Sequence, residues 1–308
     1  MKRFIFLIPL LLCFSTKTFA AVNVFACEPE WKYLAEAIGG KYVKAYSATN
    51  AFQDPHHIEA RPSLIAKTRR ADLLVCTGAE LEIGWLPLLL RQSGNAKIQE
   101  DQPGYFLAAS QVERIEVPSK LDRSDGDVHA SGNPHVHWDP YRVIKIAKAL
   151  SQRLQIIDSK NANSYKQLHA QFENNWKQAI KGWEQQARAL RGKKVIVYHK
   201  NWSYLLNWLN IQEVADLEPK PGIPPTSKHL AKVLKNSRNQ KPNYILMANY
   251  QSDKGAKWLI NKTNMPLMKL PFTVGGSKQA ISLETLYDEV LATLVKACLL
   301  YTSDAADE

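Results

Sequence analysis

Short apolar runs alternate with stretches of helical periodicity in both halves of the chain, the pattern of an α/β protein with parallel sheets. In the first half, Val22 to Ala26 reads as a strand, and Pro29 to Ile38 as a helix opened by Pro29 and stopped by Gly39-Gly40. A strand over Tyr42 to Ser47 leads into a polar loop carrying Asp54-Pro55-His56, then a helix from Pro62 to Arg70 and a strand over Asp72 to Cys76. In the second half, the β-branched run Lys194 to Tyr198 leads into His199 and a helix over Ser203 to Leu209. A strand over Tyr244 to Ala248, a helix near Lys257 to Asn261 and a strand over Leu267 to Leu270 continue the alternation. His56 and His199 therefore lie beyond the C-terminal ends of strands, where open α/β sheets bind ligands.

Between the halves, Tyr165, Leu168, Phe172, Trp176, Ile180, Trp183, Ala187 and Leu190 recur at steps of three or four. They mark one apolar face of a helix from Asn163 to Leu190, about 42 Å long and able to tie two lobes stiffly together. The pattern predicts an N-terminal lobe over residues 21–160, a connecting helix over 161–192 and a C-terminal lobe over 193–297. Pro118 to Pro134 interrupts this order with Ser, Asp, Gly and Pro, and carries Asp122, Asp125, Asp127 and His129. It reads as a mobile surface loop, with a weak metal-collecting role as the functional alternative.

The first twenty residues change the compartment. Lys2 and Arg3 precede the apolar run Phe4 to Phe14, and Thr18-Phe19-Ala20 is a small-residue cleavage pattern, so residues 1–20 read as a secretory signal peptide and the mature chain as periplasmic. Leu10-Leu11-Leu12 before Cys13 lacks the small residue that favours a lipid anchor. A formal charge of +11 is spread along helical stretches, with no basic stripe and no aromatic nucleic-acid motif, which excludes nucleic acid as a partner. The expected state is a monomer. Cys27 and Cys76 end two runs that look like neighbouring strands, which leaves open a disulfide or two buried thiols. From Cys298 the sequence breaks the preceding helical pattern, and residues 298–308 read as a non-native tail.

Candidate chemistry rests on histidine. Imidazole is the commonest protein ligand for zinc, and His56, His135 and His199 each lie at a loop or strand end beside prolines or aromatics. His169 and His229 fall on helices and read as surface residues; His57 reads as a surface residue or one that supports a ligand without touching the ion, and His137, two residues from His135, as able to help catch or orient the ion. His135-Val136-His137-Trp138-Asp139 also fits the H-x-H-x-D run of zinc hydrolases, although Pro140 stands where a further histidine is usual. A zinc-dependent hydrolase with a three-histidine site and bound water is therefore the alternative from another class.

Three longer motifs carry a resemblance. Asp54-Pro55-His56-His57-Ile58-Glu59-Ala60-Arg61-Pro62-Ser63, Asn133-Pro134-His135-Val136-His137-Trp138-Asp139-Pro140, and Val195-Ile196-Val197-Tyr198-His199 followed by Trp202 and Tyr204 resemble the three metal-ligand loops of the zinc/manganese family of solute-binding proteins of ABC importers. Ala71 to Val75, Leu81 to Pro87 and Glu218-Pro219-Lys220-Pro221-Gly222 extend the likeness to essentially the whole mature chain. The resemblance implies two lobes joined by a long helix, one ion in the cleft between them, and delivery to an ABC permease in the inner membrane. It implies His56, His135 and His199 as ligands and no enzymatic activity. Many members supply a fourth, carboxylate ligand from a turn that here reads Leu270-Pro271-Phe272-Thr273-Val274-Gly275-Gly276 and has none. Glu59 or water, and after them Asp253, are the expected replacements. Imidazole-rich coordination favours Zn2+, with Mn2+ second, and proton competition predicts an affinity that falls as pH drops through about 6.5.

Overall fold

The structure is a computed structural model that describes residues 21–119 and 129–303, the side chains of 300–303 excepted. The signal peptide and Asp122, Asp125 and Asp127 lie outside the described residues. The N-terminal lobe runs β1 (Val22–Ala26), α1 (Pro29–Gly39), β2 (Val43–Ser47), α2 (Pro62–Arg69), β3 (Leu73–Cys76), α3 (Leu86–Ser93), β4 (Tyr105–Leu107) and α4 (Pro140–Ile157). After α5 (Ala162–Gln186), the C-terminal lobe runs β5 (Lys194–Val197), α6 (Ser203–Leu209), β6 (Gln212–Asp216), α7 (Ser227–Gln240), β7 (Tyr244–Ala248), α8 (Lys254–Thr263), β8 (Leu267–Leu270) and α9 (Leu283–Ser303).

Each lobe holds a four-stranded, all-parallel sheet, ordered β2-β1-β3-β4 and β6-β5-β7-β8. The two sheets share one topology, and strand order reverses at β1/β3 and at β5/β7. The central strands are wholly apolar where helices cover both faces: Leu73, Leu74 and Val75 are buried, as are Val195, Ile196 and Val197. Sequence reading had no strand at β4 or β6 and no helix at α3. β4 has three residues, and β6 reads Gln-Glu-Val-Ala-Asp on a half-exposed sheet edge, so neither carries an apolar run.

The predicted apolar face of α5 is the buried one. Phe172, Trp176, Ile180 and Trp183 are buried, and the last turn tightens to a 3-10 helix over Ala187–Leu190. Burying each of these large side chains contributes about 1.5–3 kcal/mol. They belong to one core that also contains Val24 and Val75 of the first sheet and Val195 and Leu246 of the second. A continuous core of this kind leaves little room for one lobe to swing freely.

The structure bears on two expectations at the cysteines. Cys27 and Cys76 form a disulfide between the ends of β1 and β3 across a separation of 49 residues, which stabilises the fold by about 4 kcal/mol on chain-entropy grounds. Cys298 does not end the helical pattern: α9 runs on to Ser303, and the buried Cys298 thiol donates to the Ala189 carbonyl at 3.3 Å. Position 298 falls on the core-facing side of the helix, so the periodicity continues through it. Among the described residues no helix is long and apolar enough to cross a membrane.

Candidate metal centre

The loop after β2 brings in His56. Trp85 is buried and its indole donates to the Pro55 carbonyl at 2.8 Å, which fixes the loop against the N-terminal lobe. Asp54 then holds the ring: its Oδ1 accepts from the His56 backbone at 3.0 Å and from Nδ1 at 2.7 Å. Burial opposes ionisation of Asp54, but the hydrogen bonds and charge of His56 outweigh it and lower its pKa. An ionised carboxylate only accepts, so the proton sits on Nδ1 and the Nε2 lone pair of a neutral His56 is free.

His199 is built the same way from the other lobe. It follows β5 directly, and Nδ1 donates to Glu218 Oε2 at 2.7 Å. The Pro221-Gly222 turn returns Gly222 N–H to that same oxygen at 2.9 Å, which anchors the carboxylate. His199 therefore also presents Nε2. Carboxylates that orient ligating imidazoles in this manner raise ligand basicity and fix the tautomer.

His135 enters from between the lobes. Asn133 accepts from its backbone N–H at 3.0 Å and donates to the Lys200 carbonyl at 2.7 Å, so one amide ties this segment to the residue after His199. The His135 ring is 1% exposed, and neither of its nitrogens has a hydrogen-bond partner. Leaving a buried polar group unpaired costs about 1–3 kcal/mol, a cost that a bound ion removes. Ring centroids of His56, His135 and His199 form a triangle with sides of 6.0, 5.8 and 5.7 Å. Donor atoms of the three all lie within 4.8 Å of one another.

A fourth imidazole stands beside them, outside the three whose donors converge. His129 Nε2 stands 3.3 Å from His56 Nε2, and its ring lies 6.5 Å from that of His135. Two Zn–N bonds of 2.0–2.1 Å at the tetrahedral angle separate their nitrogens by about 3.3–3.4 Å, so this pair already has the spacing of a shared ion. The ring also bonds the Ala79 backbone. Ala79 and Glu80 both adopt left-handed φ values (47° and 65°), and the Glu80 carboxylate takes the Ser131 N–H at 3.2 Å and hydroxyl at 3.1 Å. A strained turn from one lobe thus grips the segment that carries His129. Burial, followed by the charges of His56 and His199, pushes His129 down to about 3. Burial likewise holds His135 well below the ordinary imidazole range, so both remain free bases at neutral pH.

The remaining candidates lie elsewhere. Glu59 is exposed and is not among the donors that converge on the three histidines, and Asp253 pairs with Lys257 at 2.9 Å. His137 is buried but turns away: Nε2 meets the Phe272 carbonyl at 3.2 Å and Nδ1 faces Glu30 at 3.4 Å. The 270–276 turn puts Phe272 edge-on against His135 at 5.4 Å. His57 is exposed at the mouth, and His169 and His229 are half-buried away from the centre, the latter bonded to the Asp216 carbonyl at 2.9 Å. Small cavities of about 240 and 250 Å³ flank the cluster, one lined by Asp54, His57 and Glu218, the other by Glu116, His129 and Asn133. Cavities of this size suit an ion with its surrounding water.

Comparison with known proteins gives the family and the fold. Residues 24–297 match the family described as "Zinc-uptake complex component A periplasmic". The metal ABC transporter substrate-binding lipoprotein ScbA of Streptococcus cristatus is 23% identical over 310 aligned positions, covering 96% of this chain and 98% of its own. The manganese ABC transporter substrate-binding lipoprotein PsaA of Streptococcus pneumoniae is 22% identical, over 85% and 83% of the two chains. Among solved structures, a ZnuA crystal structure superposes with a TM-score of 0.73 at 19% identity, covering 90% of this chain and 99% of that one. The Mn-bound periplasmic metal-binding protein of Candidatus Liberibacter asiaticus superposes with a TM-score of 0.74 at 15% identity over the same shares. The chain belongs to the ZnuA family of zinc-uptake substrate-binding proteins.

Proposed function

We propose that this protein captures one Zn2+ ion in the periplasm with His56, His129, His135 and His199, as a monomer, and delivers it to an ABC import permease in the inner membrane. The observation that carries the reading is His135: a fully buried imidazole with two unpartnered nitrogens, facing two imidazoles whose carboxylate partners leave Nε2 free. His129 takes the fourth place in preference to Glu59, whose carboxylate is exposed. Four nitrogen donors favour zinc over manganese, which prefers oxygen.

The hydrolase alternative fails at Asp139. Its Oδ1 caps α4 by accepting from the Tyr141 and Arg142 amides at 2.9 and 3.1 Å, and its other oxygen pairs with Arg142. With His137 also turned away, the H-x-H-x-D run offers one ligand rather than three.

Calorimetric titration of tag-free protein with Zn2+ and Mn2+ tests the binding, and growth of a deletion strain under zinc limitation tests the transport. The expected results are one Zn2+ per chain, bound at least a hundred-fold tighter than Mn2+, and growth restored by the wild type but not by a His56→Ala/His135→Ala/His199→Ala variant. Equal or tighter Mn2+ binding overturns the choice of metal, and rescue by the triple variant overturns the reading as a whole.

A further inference from the structure

At the C-terminal ends of β1 and β3 lies a second group of donors that shares no residue with the histidine cluster. Cys27 and Cys76 end the adjacent parallel strands β1 and β3 with Cα atoms 4.7 Å apart, and both are wholly buried. The Glu82 carboxylate is aimed at the same place. It accepts from the Thr77 amide at 2.7 Å and from the Gly78 amide at 3.0 Å, the two residues after Cys76. Each sulfur and a Glu82 oxygen lie within 4.8 Å of one another. Glu28, next to Cys27, adds a second buried carboxylate: Oε2 accepts from the Thr77 hydroxyl at 3.0 Å, and Oε1 has no hydrogen-bond partner.

Nothing in the histidine centre uses these carboxylates, and burying them has a cost. Burial pushes Glu82 up to about 7, and burial together with the charges of Glu82 and Glu30 raises Glu28 as well. Apolar residues would fill the same space without that cost. A carboxylate is, by contrast, one of the ligand types that zinc takes beside cysteine thiolates once the sulfurs are free.

We propose that, when the Cys27–Cys76 disulfide is reduced, the two thiolates and the Glu82 carboxylate form a second divalent-metal site for a soft ion such as Zn2+ or Cd2+, with Glu28 at hand as a further oxygen donor. A phosphine reductant supplies the electron pair that breaks the S–S bond and leaves as its oxide, water providing the oxygen and the two thiol protons. The incoming ion then displaces both protons as the thiolates bind it. In the oxidised protein the sulfurs are bonded to each other and the site is closed. Redox state therefore sets whether the chain holds one ion or two, and the second site stands independently of the proposed transport role.

The test uses full-length mature protein in a Cys298→Ser background, so that the third cysteine gives no signal. Oxidised and phosphine-reduced samples are desalted without oxygen and titrated with Cd2+, following the ultraviolet thiolate-to-cadmium charge-transfer band, metal content and near-ultraviolet circular dichroism. The oxidised protein is expected to take one equivalent with no such band. The reduced protein, with its circular dichroism retained, takes a second equivalent that carries the band. Glu82→Gln, which keeps an oxygen for the Thr77 and Gly78 amides, weakens only this second equivalent, by ten-fold or more. In the His56→Ala/His135→Ala/His199→Ala background the band-carrying equivalent alone remains, which separates this site from the first. A reduced, folded protein that takes one equivalent and shows no band overturns the proposal. So does a band that appears only on loss of the folded spectrum, or one that Glu82→Gln leaves unchanged.

Discussion

His56 and His129 meet through their Nε2 atoms at 3.3 Å although 73 positions separate them in sequence. His56 holds its proton on Nδ1 against Asp54 and burial keeps His129 neutral, so the bare Nε2 of His56 can accept at most the single N–H of His129. A divalent cation at this contact would take the place of the shared proton and bind both nitrogens. His129→Ala is expected to leave one ion per chain, lower zinc affinity about ten- to a hundred-fold and narrow the preference over Mn2+, as competition with a chromophoric chelator would show.

His135 makes function and stability oppose each other. Replacing it with Leu removes two buried, unpartnered nitrogens and is expected to stabilise the metal-free protein by about 1–3 kcal/mol while abolishing the zinc-induced rise in Tm. Scanning calorimetry with and without zinc measures both. A lower metal-free Tm together with a preserved zinc response would contradict the assignment.

Asp54 and Glu218 act on the ion through the rings they hold. Asp54→Asn and Glu218→Gln should each lower zinc affinity about ten- to a hundred-fold at unchanged stoichiometry, because the amide no longer fixes the imidazole tautomer. Equal affinity in the variants and the wild type counts against orientation by these carboxylates.

Proton competition has a ceiling. Of four imidazoles, His129 and His135 are held as free bases by burial, so zinc binding between pH 7.5 and 5.5 displaces at most two protons from the ring nitrogens. Affinity is expected to fall on acidification with a slope no steeper than two decades per pH unit. A slope near four in a calorimetric pH series would show all four rings titrating together.

Glu82 gives a pH signature of its own. Its folded pKa of about 7 lies above its ordinary value of 4.5, so its contribution to stability is fully present below pH 4.5 and is lost as pH rises through 7. Glu82→Gln, permanently neutral, should gain on the wild type over that interval by about 3 kcal/mol. Denaturant unfolding of oxidised, metal-free protein at pH 4.5 and 7.5 tests this, and a constant difference between the two proteins would contradict it.

Much of this was legible in the sequence for physical reasons. The alternation of apolar runs and helical patterns gave the two parallel sheets, and the 3.6-residue recurrence from Tyr165 to Leu190 gave α5 within a few residues at each end. Strand ends carry their own signal, which placed His56 and His199 on the functional side. The edge strands β4 and β6 were missed because half-exposed edges need no apolar run. From sequence, His129 reads as part of a solvated acidic loop, since composition there masks a tertiary contact. The signal available was its place six residues before His135, with Gly132 at φ 97° turning the chain between them. Glu59 is close to His56 in sequence, but it is exposed while His56 is half-buried, and spacing alone does not reveal that.

Capture of one Zn2+ by imidazole nitrogens is open to direct measurement by zinc K-edge X-ray absorption on oxidised protein loaded with one equivalent. It predicts a single shell of about four light atoms at about 2.0 Å with the multiple scattering of three or four imidazoles and no sulfur. An oxygen-only shell, or an unchanged spectrum from the His56→Ala/His135→Ala/His199→Ala protein, would contradict it.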